Sequence, residues 1–130
     1  MGEVEQPSEF AIRSYRDLVV WQKAMDVAVS CYQLTAGFPR DEAYGLAAQI
    51  RRAAASIAAN VAEGHGRENT GSFIQFLRVG QGSLKELETH LMLAERVGLA
   101  PKTSTDPLLA DCESIGRMLR SLIRSLQKKS

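Results

Sequence analysis

Apolar residues recur at helical spacing along most of the chain, and the pattern divides it into four segments of about 16–36, 43–64, 70–98 and 105–128. Gly37-Phe38-Pro39, Gly64-His65-Gly66 and the stretch from Gly98 to Pro101 interrupt the period, and each holds a residue that ends helices readily. The connections are short, as neighbouring helices of a bundle require. Residues 1–14 have no sustained period and are acidic at first, which predicts a loose arm with Phe10 and Ile12 as docking points. Residues 15–130 form the folded unit. The predicted fold class is all-α, an antiparallel up-down four-helix bundle.

The first segment has two apolar stripes where a surface helix normally has one. Leu18, Trp21, Met25, Ala28, Val29 and Tyr32 make one; Val20, Ala24, Val27, Cys31 and Leu34 lie on roughly the opposite side. A helix that is apolar around most of its circumference needs burial around most of it, and a four-helix monomer leaves every helix one exposed side. The pattern therefore predicts a homo-oligomer, with Val20, Ala24, Val27, Cys31 and Leu34 as the interface.

The fourth segment is simpler. Leu108, Cys112, Ile115, Leu119, Leu122, Ile123 and Leu126 form one apolar side, and Arg117, Arg120, Arg124 and Lys128 stand opposite. At 1.5 Å rise per residue those cations make a stripe about 16 Å long, enough to meet roughly three or four phosphates. The second segment carries Gln49, Ser56, Asn60 and Glu63 in a narrow sector beside its apolar side, while the third carries Ser83 and Glu86 off its core stripe. Polar groups beside a core need partners, so these six predict an interhelical hydrogen-bond network, with Arg51, Arg52 or Arg67 pairing the acids. Gly80 and Gly82 in the third segment predict close backbone packing.

Composition narrows the function classes. The chain has 130 residues, room for one domain, and its 45% hydrophobic and 24% charged content is that of an ordinary globular protein. Sixteen Lys and Arg against fifteen Asp and Glu leave a net charge of +1, so a polyanion site must come from how charge is distributed. Residues 115–130 hold five bases and no acid; residues 1–10 hold three acids and no base. Cys31 and Cys112 lack metal or disulfide-framework spacing, and neither a leader nor a membrane-length apolar run is visible, which predicts a cytoplasmic protein with free thiols. A di-iron bundle would need Glu-x-x-His motifs, yet Ala62 and Leu87 stand three residues before His65 and His90. Phosphate-binding, nucleophile-elbow and dinucleotide motifs are also missing. The expectation is a protein without enzymatic activity, metal or cofactor.

Three ordered stretches, YRDLVVWQKAMDVAVSCYQLT, GLAAQIRRAAASIAANVAEGHGR and FLRVGQGSLKELETHLMLAERVG, resemble the four-helix-bundle family of proteins encoded in intervening sequences of bacterial 23S ribosomal RNA genes. The resemblance covers most of residues 15–126. It implies a short up-down bundle assembling as a ring or barrel, five copies in the family. One branch, the accessory variability determinant of diversity-generating retroelements, is a basic pentamer that binds a reverse transcriptase and nucleic acid. The matching positions here are Gln49, Arg51, Arg52, Ser56, Asn60, Glu63, Gly64, Arg67, Gly82, Ser83, Glu86 and Glu88. Ala58 stands where many members have proline, which implies a straighter second helix. The near-neutral charge departs from the basic branch and argues against a reverse-transcriptase partner. The function expected is a homo-oligomer that engages RNA or DNA through Arg117, Arg120, Arg124, Lys128, Arg51, Arg52 and Arg67. The alternative is a scaffold making protein contacts alone.

Overall fold

A computed structural model describes residues 12–129. It contains four helices and, among the described residues, no strand: α1 (Val19–Ala36), α2 (Leu46–Gly66), α3 (Thr70–Arg96) and α4 (Lys102–Lys129). Short 3-10 turns at Tyr15–Asp17 and Arg40–Glu42 precede α1 and α2. α2 packs between α1 and α3, and α4 closes the bundle against α3 and α1, so α2 and α4 occupy opposite corners. Phe10 lies outside the described residues, whereas Ile12 is half-buried against the core.

The bundle is held by aliphatic side chains from all four helices. Ile50, Ile57 and Val61 of α2 meet Leu77, Leu84, Leu87 and Leu91 of α3, with Ile115 and Leu119 of α4 and Val20, Ala24, Val27 and Cys31 of α1 completing the core. Fully burying one such Leu or Ile stabilises the fold by about 1.5–3 kcal/mol relative to leaving it in water. Residues paired across α2 and α3 run from Ser56 with Ser83, through Asn60 with Gly80, to Gly64 with Phe76.

α1 and α2 each start three residues later than the periodic reading, behind their 3-10 turns, and two further ends differ for a local reason. α2 continues through Gly64 to Gly66 because Gly64 is a packing glycine: a Cβ there would lie 2.7 Å from Phe76 Cβ and 3.0 Å from Phe73 Cδ1. The chain turns instead after Arg67, where Glu68 adopts φ 58°, and Asn69 caps α3 by accepting a 2.9 Å hydrogen bond from the Ser72 amide. α4 begins a turn early, at Lys102, and runs through Pro107. Near a helix start proline forfeits little, since only the carbonyl of exposed Thr103 loses its donor. Gly98, at φ 80°, makes the left-handed reversal after α3.

Candidate functional site

The turn before α1 is a built feature. Ser14 Oγ accepts from the Arg16 amide at 3.1 Å, while the Asp17 carboxylate accepts from the amides of Arg13 at 2.7 Å and Ser14 at 3.2 Å. Those backbone donors, Arg13 first, hold the Asp17 carboxyl below the usual range. The turn sets Tyr15 edge-on to Trp21, with ring centroids 5.3 Å apart. From this pair the outer face of α1 continues through Met25 and Val29 to Tyr32, which are 40%, 53% and 50% exposed. Alongside, Ala55, Ala58, Ala59 and Ala62 of α2 form a floor of small side chains. The result is an open apolar groove of about 510 Å³. An arginine stacks on the tyrosine at each end: Arg16 lies 5.6 Å from the Tyr15 ring centre and Arg51 4.8 Å from that of Tyr32.

This arrangement inverts the two stripes of α1. Val20, Ala24, Val27 and Cys31, expected at an oligomer interface, are buried in the core of their own chain, and Leu34 is half-buried against it. The four buried side chains leave no surface for a second copy to touch. Of the other stripe, Met25, Val29 and Tyr32 are left to water and Trp21 is half-buried, while Leu18 and Ala28 are buried with the core. Trp21 and Tyr32 carry a polar atom that water satisfies, so they tolerate an outer position; Met25 and Val29 carry none and gain from being covered.

The polar sector of α2 is joined to α3 at one point. Ser56 Oγ and Ser83 Oγ share a 2.8 Å hydrogen bond, and Asn60 Nδ2 donates to the Ser56 carbonyl at 2.8 Å and to Ser56 Oγ at 3.0 Å. The other predicted members pair within their own helices. Gln49 accepts from Arg52, Glu63 faces Arg67 at 3.7 Å, and Glu86 faces His90 at 4.0 Å. The expected six-residue network is therefore a three-residue one, because Gln49, Glu63 and Glu86 sit at i,i+3 or i,i+4 from a local partner that is reached without crossing between helices. No third metal-ligating side chain gathers with Glu86 and His90 among the described residues.

The seven cations expected to form one basic surface are not brought together. Arg117, Arg120, Arg124 and Lys128 line the exposed side of α4, while Arg51 and Arg52 belong to α2 at the opposite corner and Arg67 is its C-cap. The α2 arginines are also engaged: Arg51 donates from Nε to Thr35 Oγ1 at 2.8 Å as well as stacking on Tyr32, Arg52 pairs with Gln49, and Arg67 stacks on Phe76 at 5.1 Å. On α4, Arg117 pairs with Glu113 at 3.4 Å, whereas Arg120, Arg124 and Lys128 have no ion pair among the described residues.

Tyr15, Arg16 and the outward alanines were not singled out from the sequence as parts of a site. The spacing of Ala55, Ala59 and Ala62, by four and three off the core side of α2, is the signal that could have found them. Cys31 and Cys112 are buried, and burial pushes both thiols up to about 12, far from a reactive thiolate.

Comparison with known proteins places the fold. The family described as 23S rRNA-intervening sequence protein matches residues 16–121. The chain belongs to that family. A crystal structure of a protein of unknown function from the S23 ribosomal protein family of Bacteroides thetaiotaomicron VPI-5482 superimposes with a TM-score of 0.76 at 25% sequence identity, covering 82% of this chain and 96% of that one. A comparison with curated proteins finds no match. The match to this intervening-sequence family spans all of α1, α2 and α3 and most of α4, so the shared region holds the apolar groove apart from Tyr15 and, of the α4 cation row, Arg117 and Arg120. No helix among the described residues is long and apolar enough to cross a membrane.

Proposed function

We propose that the chain is a non-enzymatic, self-assembling bundle of up-down antiparallel helices that forms a ring-shaped homo-oligomer in the cytoplasm and binds RNA or DNA. The observation that carries this reading is the groove along α1 and α2, where Met25, Val29 and Tyr32 stand in water beside an alanine floor. Contiguous apolar surface of this kind marks a contact site on a soluble protein. Five copies is the stoichiometry that family resemblance favours. Repetition around the ring multiplies Arg120, Arg124 and Lys128 of α4 into an extended positive field, which offsets the small net charge of one copy.

Sedimentation velocity tests the assembly: a single species of several chain masses is expected, and a stable monomer would sink the reading. Binding to generic RNA and duplex DNA is expected to fall steeply with added salt, since each neutralised phosphate releases counterions. A second reading, a scaffold for protein contacts alone, is favoured by the engagement of Arg51, Arg52 and Arg67 in internal contacts. Absence of nucleic-acid binding at about 50 mM salt by an intact oligomer would select it, because electrostatic binding is strongest at low salt.

A further inference from the structure

Gly82 is exposed in the middle of α3, and nothing in its own chain explains it. A Cβ built there meets no atom within 4 Å. Gly80, by contrast, faces α2 with Ile57 O and Asn60 Cβ 3.9 Å from its Cβ position. Glycine inside a helix destabilises it relative to alanine, so an exposed one is unfavourable for a lone chain. Around it, Val79, Gly82, Glu86, Leu93 and Val97 follow spacings of three, four, seven and four, which places them in one row along α3. Val79, Leu93 and Val97 are 47%, 46% and 58% exposed. The row is a convex ridge with exposed aliphatic side chains at its two ends and, between them, a notch at Gly82, the Glu86 carboxylate one turn further on, and then Thr89 and His90.

The groove on α1 and α2 has the complementary character. Its floor is alanine, its wall carries large side chains, and both ends carry an arginine. A groove cannot fill a copy of itself, and two grooves placed face to face would set arginine beside arginine. We propose that the groove of one copy receives the outer row of α3 from the next copy, with a large wall side chain entering the notch at Gly82 and Glu86 meeting a rim arginine. This rests on the self-assembly proposed above and adds a direction to it. The contact joins two different surfaces, so it is head-to-tail and continues from copy to copy until the row closes. The two surfaces are separated by α2 around the bundle rather than set on opposite sides, so each copy turns relative to the last.

Two variants test this, each on one surface: Val29→Glu in the groove wall and Gly82→Gln in the notch. Both residues are exposed, so both chains keep wild-type helicity by circular dichroism. Each variant alone is expected to sediment as a monomer. Mixed in equal amounts they still share one intact groove and one intact ridge, and a heterodimer of two chain masses is expected. Gly82→Ala is expected to raise the melting temperature of the dissociated chain while weakening association about tenfold, the signature of a glycine kept for a neighbour. Assembly by Gly82→Gln at wild-type size, with Val29→Glu monomeric, would overturn the α3 contact and leave self-assembly standing. A mixture without heterodimer would overturn the head-to-tail pairing. A monomeric wild type would remove both.

Discussion

α1 and α4 lie side by side in the bundle, each burying a cysteine, yet they turn opposite surfaces to water. Beyond its buried row α4 shows Arg117, Arg120, Arg124 and Lys128; beyond its own, α1 shows Met25, Val29 and Tyr32, with half-buried Trp21 at their head. A charged outer face is complete in solvent and acts at a distance. An apolar outer face is incomplete in solvent, and its free energy falls when another surface covers it. The two helices thus divide the work proposed for this protein, with α1 gathering copies and α4 presenting charge once they are gathered.

The sharpest test of that division is a pair of substitutions on α1, two residues apart. Val27 is 2% exposed, and Val27→Asp places a carboxylate in the core with no cation to pair it, which is expected to remove about 4 kcal/mol or more and unfold the chain. Val29→Asp, on the groove wall, is expected to leave the thermal melt of the single chain nearly unchanged and to abolish assembly. Circular dichroism and sedimentation separate these outcomes. An unfolded Val29→Asp would show that the groove face supports the fold itself, and the contrast between the helices would fail.

On α4 the inner row should behave as core alone. Leu119 is fully buried, and Leu119→Ala is expected to cost about 3 kcal/mol in chemical denaturation through lost transfer energy and a residual cavity. A separate effect, confined to alkaline pH, comes from the two thiols. Their pKa is pushed up to about 12 by burial, so between about pH 9 and 12 the unfolded thiol ionises while the folded one stays protonated. The unfolded state then binds fewer protons, and stability should fall with rising pH by roughly 1.4 kcal/mol per thiol per pH unit. A Cys31→Ala and Cys112→Ala double variant should flatten that slope; an unchanged slope would assign it to other groups.

The smallest effect on stability should come from the outer row of α4. Arg120→Glu with Arg124→Glu is expected to shift the folding free energy by less than about 0.5 kcal/mol, as surface changes do, while removing the salt-sensitive binding of RNA or DNA. Loss of the fold instead would make those arginines structural.

How legible each helix was follows from how its sequence divides. α4 carries one apolar side and one charged side, so its periodicity admits one orientation, and Leu108, Cys112, Ile115, Leu119 and Ile123 are buried as it predicts. α1 carries two stripes of similar apolarity, and periodicity alone is indifferent to which turns inward. Side-chain chemistry separates them only in part: Trp21 and Tyr32 keep a polar atom for water, but exposed Val29 and Met25 have no more to offer it than buried Val20 and Val27. The period alone makes Gly64 a turn residue, because glycine ends helices; its role in the fold, making room for Phe73 and Phe76, depends on a helix that follows it in the chain.

By itself the sequence determined the number and approximate extent of the helices, the aliphatic rows that bury them, and the cation row on α4. These are properties of one helix at a time, set by spacing at about 100° per residue. The tertiary structure decided which stripe of α1 lies inside, that α2 and α4 stand at opposite corners, and that Arg51 and Arg16 are held over tyrosines at the two ends of one groove. Those relations join residues on different elements, and side-chain spacing carries no information about which helix will be a neighbour until the chain has packed.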